Sequence, residues 1–168
     1  MAVGTTNLLM PNLTTSADAS QGLLKTARAK AHPFCLVCSQ SNPMGLGLEF
    51  TVHDDGSVSA SFLGHPALEG FQGFLHGGMI ASLLDGAMTN CLFAHGHAAM
   101  TGELKVRYRE PVIIGEEMLI RAWIAQSASR LHVLEAELKQ GDCIKATASA
   151  KFVERHERDH YSHDAGRE

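Results

Sequence analysis

His76, Gly77 and Gly78 stand directly before an apolar run, Met79 to Met88, that contains a single acid, Asp85. Backbone N–H groups at the start of a helix lack internal partners and sit at the positive end of its dipole, so they suit an anion or a developing oxyanion. Glycine costs about 1 kcal/mol relative to alanine inside a helix, but it lets another molecule's atoms reach the backbone. A carboxylate among apolar neighbours carries a heavy desolvation cost unless it faces a polar cavity, and acids in such clefts act as general bases or nucleophiles. The structural alternatives are tight helix–sheet packing at the glycines and, for Asp85, a buried salt bridge or a hydrogen bond to Thr89 or a neighbouring strand. Gly77 and Asp85 lie about 12 Å apart along one helix. A donor and a base serving one carbonyl must both lie within about 3 to 4 Å of the reacting atoms. Two copies related by a two-fold axis meet that condition, so a site built from these residues requires a homodimer.

Other chemistry-bearing patterns are weaker. Cys35-x-x-Cys38 has zinc-knuckle or redox spacing, with His32 as a third potential ligand, but no second Cys pair follows and no βαβ pattern surrounds it, which favours a reduced or buried pair. Cys91 and Cys143 read as small core residues. "HERDH", His156 to His160, matches the zinc-protease pattern within a charged tail and reads as chance; adventitious metal binding by His156, His160 and His163 is expected there. "GLGLEF" opens a strand and not a helix, so no dinucleotide site is implied. Lys105, Arg107 and Arg109 alternate with Leu104, Val106 and Tyr108 and form a short basic row that fits either a solvated strand face or a phosphate site.

The elements that must position these residues show in the periodicity. Leu46, Leu48, Phe50 and Val52 alternate with polar or small residues, and "DDGS" leads to Val58, Ala60 and Phe62, which predicts a hairpin. Four further runs keep period two: Leu104 to Tyr108, Met118 to Ile124, His132 to Leu138 and Ile144 to Phe152. "QSAS" and "QGDC" supply turns between the last three. The run from Gly77 to about His95 is apolar on nearly every side and must be surrounded. A sheet of about six strands surrounds it by curling, so the predicted fold is α+β, one long central helix wrapped by a curved antiparallel sheet. "DASQGLLKTARAKA", from Asp18 to Ala31, predicts a short N-terminal helix ended by Pro33. The organisation is an N-terminal extension over 1–33, a domain over 34–153 and a polar, His-rich tail over 154–168. Leu119, Arg121 and Trp123 face outward, and an exposed Trp–Leu patch predicts pairing of sheet faces into a tetramer or cover by the N-terminal helix.

The bulk composition narrows the class. The 168 residues suit one folded domain, with 14 Lys+Arg against 18 Asp+Glu and a net charge of −4, which does not favour nucleic acid as a partner. No run approaches a membrane span or a signal h-region, and the four cysteines suit a reducing compartment, so no membrane partner and a cytoplasmic location are expected.

"HGGMIASLLDGAM", following "FQGFL" and preceding "MTGELKVRYREPVIIGEEMLI", resembles the hotdog-fold acyl-CoA thioesterases of the phenylacetate-pathway (PaaI-like) group, within the 4-hydroxybenzoyl-CoA thioesterase superfamily. "CLVCSQSNPMGLGLEF" resembles the start of one branch of these proteins. The resemblance covers about residues 34 to 153 and implies a homodimer, or a tetramer assembled from two such dimers, that hydrolyses an acyl-CoA substrate without metal or redox cofactor. It implies that Gly77 polarises the thioester carbonyl while Asp85 of the other subunit acts as general base or nucleophile. His76 shapes the helix entrance, and Thr101 orients water. Many members carry an asparagine six residues before the histidine; here Gly70 stands there, leaving Glu69 and Gln72 as the nearest polar groups. Gln72, Gly73 and Gly78 are the expected substrate contacts, with Lys105, Arg107 and Arg109 for the CoA phosphates. A hydratase of the same fold is disfavoured, because Gln40 precedes Asn42-Pro43 and no histidine follows. A non-catalytic acyl-CoA binding module or sensor is the alternative function.

Overall fold

The computed structural model describes residues 16–154. Helix α1 (Ala17–Ala31) is followed by strands β1 (Thr51–Val52) and β2 (Val58–Leu63), helix α2 (Gly77–Ala94), and strands β3 (Ala99–Tyr108), β4 (Glu117–Ala128), β5 (Leu131–Gln140) and β6 (Cys143–Glu154). The six strands form one antiparallel sheet in the order β1-β2-β4-β5-β6-β3. The predicted α+β architecture is observed. One face of the sheet, with Ile120, Leu134, Leu138, Ala148 and Phe152, closes on α2, whose Leu83, Leu84, Ala87, Met88 and Leu92 are inaccessible to solvent. Each large aliphatic or aromatic side chain buried there contributes about 1.5–3 kcal/mol. The row Ala146, Ala148 and Ala150 lets the sheet come close to the helix.

Several expectations need correction. The hairpin over 46–52 shrinks to the two residues of β1, paired with Ser59 and Val58. Leu48 and Phe50 are still buried, but the backbone of this segment finds other partners. Leu46 and Leu48 donate to the carbonyls of Leu36 and Val37, and the Gln21 amide bonds Phe50 O and Val52 N. The loop after α1 and one side chain of α1 have replaced a strand partner, as buried backbone groups require. α1 begins one residue before the predicted Asp18, with Ser16 as its N-cap and Asp18 in the first turn. α1 packs on α2 and β1, with Leu24 in the common core, and does not cover Trp123, which is half-buried on the outer face of β4.

α2 ends as its sequence predicts, with His95 as C-cap. Gly96, at φ +78°, supplies the left-handed residue; its N–H reaches Phe93 O and that of His97 reaches Leu92 O, a complete Schellman closure. The start of α2 differs from the expected all-round burial. Gly78 is exposed, and Met79, Ala81, Ser82 and Asp85 are only half-buried, so one face of the first turns lies open in the single chain. β3 lies at the sheet edge, paired with β6 alone, and its Leu104, Val106 and Tyr108 are half-buried or exposed where a core face was expected. The predicted tail motif with His156, His160 and His163 lies outside the described residues.

Candidate active site

The start of α2 is held by its preceding loop. His76 N–H donates to Leu68 O, and Leu75 N–H donates to Val112 O. Gly70 lies flat against His76: a Cβ at position 70 would stand 3.0 Å from the His76 Cα. A side chain at position 70 would be tight there, and His76 would have to shift by a few tenths of an ångström to admit one.

His76 is the N-cap of α2. Its Nδ1 accepts the Gly78 N–H at 2.9 Å, and its carbonyl accepts from Met79 and Ile80. An unprotonated Nδ1 places the proton of the neutral ring on Nε2. Gly77 is the one early helical position whose N–H has no hydrogen-bond partner among the described residues. Tyr108 of β3 closes the other side, its hydroxyl donating to Gly77 O at 2.9 Å. The alternation placed Tyr108 on the helix side of its strand, yet nothing in the sequence pointed to the contact with Gly77.

Asp85 is half-buried about two turns further along α2. Thr101 donates its hydroxyl to Asp85 Oδ1 at 2.7 Å, across 16 residues of sequence. Thr89, a candidate partner for the carboxylate, instead donates to the Asp85 backbone carbonyl. Plain alternation from Leu104 puts Thr101 on the outward side with Lys105. The register shift between Thr101 and Glu103 accommodates one extra residue, Gly102, so Thr101 pairs with core-facing Phe152 and turns toward the helix. A glycine within a strand pattern was the available signal for that bulge.

The remaining predicted residues separate into two groups. Gln72 is exposed at the tip of the loop before α2, and Gly73, at φ +79°, donates its N–H to the Glu69 carboxylate. Lys105, Arg107 and Arg109 lie outside the sheet along a shallow cavity of about 410 Å³ that also touches Trp123 and Glu135. Lys105 pairs with Glu103 at 3.1 Å, while the Arg107 and Arg109 side chains make no ion pair among the described residues. The structure thus groups His76, Gly77 and Gly78 at one point and Asp85 with Thr101 at a second, and leaves the basic row on the opposite face of the sheet.

Comparison with known proteins bears on the family and the fold. The thioesterase superfamily model matches residues 72–147. The acyl-coenzyme A thioesterase THEM4 of Bos taurus is 30% identical over 114 residues, which cover 65% of this chain and 47% of that protein. The chain spans about half the length of the curated relatives it matches. A conserved protein of Pseudomonas aeruginosa of known structure is 30% identical, with a TM-score of 0.59 over 66% of this chain and 90% of that one. The PaaI protein of the E. coli phenylacetic acid degradation operon shares the fold, with a TM-score of 0.70 and 17% identity over 84% of this chain and 97% of that one. Residues 72–147 therefore match the thioesterase superfamily, and the chain has the hotdog fold of its structural neighbours.

Proposed function

We propose that this chain hydrolyses acyl-CoA thioesters to a carboxylic acid and CoA at two equivalent sites, each formed between two copies. The observation that carries this reading is the division of α2 into two half-sites: a free Gly77 N–H at its start, and the Asp85–Thr101 pair about two turns on, too distant to serve the same carbonyl. Supporting the dimer, β3 has one edge without a strand partner among the described residues. Met100 and Tyr108 on that strand and Phe71 in the loop before α2 are exposed apolar residues, with Phe71 85% accessible. A long unpaired edge flanked by apolar surface favours pairing with another chain.

On this reading Gly77 N–H donates to the thioester carbonyl oxygen, where negative charge develops. Asp85 of the partner subunit takes a proton from water as the water oxygen attacks the carbonyl carbon. Because Thr101 donates its hydroxyl proton to Asp85 Oδ1, its own oxygen stays free to accept from that water, and Oδ2 receives the transferred proton. This favours the base role over direct attack by the carboxylate. Collapse of the tetrahedral intermediate expels the CoA thiolate, which takes up the proton. His76 fixes the entrance, Gln72, Gly73 and Gly78 border it, and Lys105, Arg107 and Arg109, on the outer face of edge strand β3, meet the CoA phosphates where the CoA arm passes around that edge. No metal or redox cofactor takes part in these steps.

Thiol release from a panel of acyl-CoAs, measured with the wild type and Asp85→Asn, tests the reading. Turnover by the wild type with a severe loss in the variant is expected. Equal rates refute the role of Asp85, an active monomer in sedimentation refutes the shared site, and binding of acyl-CoA without turnover by any form leaves a binding module.

A further inference from the structure

We propose that His32, Cys35 and Cys38 bind a divalent ion of the zinc class at the junction of α1 and α2. A ring nitrogen of His32 and the two sulfurs lie within 4.8 Å of one another, and Cys38 Sγ is 3.9 Å from His32 Nδ1. A tetrahedral ion with bonds of about 2.3 Å to sulfur and about 2.0–2.1 Å to nitrogen separates such a pair by about 3.6 Å, so the Cys38–His32 pair is within a few tenths of an ångström of that spacing.

The ligands are held in place by their surroundings. His32 is the C-cap of α1, its N–H on Arg28 O at 2.8 Å, and its ring stands edge-on to Phe93 with centroids 5.0 Å apart. The Val37 N–H donates to Cys35 Sγ at 3.4 Å, a bond that supports a thiolate ligand from the outer shell. Val37 packs against Gly86 of α2 so closely that a Cβ at Gly86 would lie 2.6 Å from Val37 Cγ1. One turn on, Asn90 is fully buried, with Nδ2 on Gly86 O at 2.8 Å and its amide against the Cys38 sulfur. Its Oδ1 is the one buried side-chain N or O among the described residues without a hydrogen-bond partner. An oxygen donor is what a three-ligand site lacks.

A second cluster, His97, His132 and Glu154, also brings ligand atoms within 4.8 Å, but there the groups satisfy one another. Glu154 Oε1 accepts from His97 Nδ1 at 2.8 Å and His132 Nε2 at 3.1 Å, and Ser127 meets His132 Nδ1 at 2.9 Å. In the cysteine cluster the contacts are the longer ones to sulfur, Val37 N–H to Cys35 Sγ at 3.4 Å and His32 Nδ1 with Cys38 Sγ at 3.9 Å, and Asn90 Oδ1 keeps no partner among the described residues. On ligation each thiol releases its proton to solvent while its electron pair goes to the ion.

The full chain, reduced and stripped with a chelator, is titrated with Co²⁺. One equivalent with a thiolate-to-cobalt charge-transfer band is expected, absent in Cys35→Ser and retained in a His156/His160/His163→Ala variant. Saturation without that band, its persistence in Cys35→Ser, or its loss in the tail variant overturns the proposal. A wild-type measurement covers the case of a poorly folded variant: Zn²⁺ should slow alkylation of Cys35 at least tenfold while leaving Cys143 unaffected, by peptide-resolved mass spectrometry. Equal protection of both, or of neither, also overturns it.

Discussion

At its first turn α2 leaves the Gly77 N–H without a partner and exposes Gly78, whereas at its last turn the polar groups are closed in a network. There His95 Nδ1 bonds Cys91 O at 2.8 Å, the Schellman bonds close the backbone, and Glu154 joins His97 to fully buried His132. The same helix is thus anchored at one end and open at the other. An end with all its donors engaged stabilises the fold but has nothing left to offer a substrate; an end with a free donor is costly alone and useful only when another molecule arrives.

The contrast can be broken by exchanging stability for activity at either end. The largest expected effect is at the open side: Asp85→Asn should lower kcat by about 10²–10⁴-fold with little change in Tm, because the carboxylate is half-buried and its one side-chain partner, Thr101, is exposed. A large fall in Tm would mean that the Asp85–Thr101 bond is chiefly structural. His132→Ala should do the reverse. It removes a buried ring that meets both Ser127 and Glu154, so urea unfolding should show a loss of about 2–4 kcal/mol, with kcat per folded molecule close to wild type. An unchanged midpoint would remove the distinction between the two ends.

Thr101→Ala is expected to slow turnover by about tenfold through loss of water positioning. Its rate should respond more than its stability, since Thr101 is exposed in the single chain. The smallest effect is one of pH. The hydrogen bonds from His97 and then His132 hold the Glu154 carboxyl below its ordinary 4.5. The unfolded chain therefore binds that proton more readily, so the contribution of Glu154 is complete above about 4.5 and is lost as pH falls through the folded value. Urea midpoints measured downward from pH 5 should fall more steeply in the wild type than in Glu154→Gln; parallel slopes would contradict the assignment.

Much of this arrangement is readable one segment at a time. The apolar run from Gly77 to about His95 marks α2, and period-two alternation marks β4, β5 and β6. His132 belonged to a predicted inward row and is buried. The segment over 46–52 misled because alternation reports which side chains are buried and not what the backbone bonds: Leu48 and Phe50 are inside, but Gln21 and the 36–37 loop take the place of a neighbouring strand. Leu104, Val106 and Tyr108 misled for a different reason, since an inward pattern on an edge strand buries less than the same pattern at the centre.

By itself the sequence determined where the helices and most strands run, which faces are apolar, and that the Gly77 backbone and the Asp85 carboxylate sit too far apart to share one carbonyl. Helix and strand periods and cap chemistry depend on residues within a few positions of one another, so one chain read in order suffices for these. Only the tertiary structure decided that Thr101 meets Asp85, that Tyr108 rests on Gly77, that His32 closes on Cys35 and Cys38 beside Asn90, and that β3 lies at the edge. Those pairings depend on strand order and on one extra residue at Gly102, whose register shift moves Thr101 to the other face of the sheet.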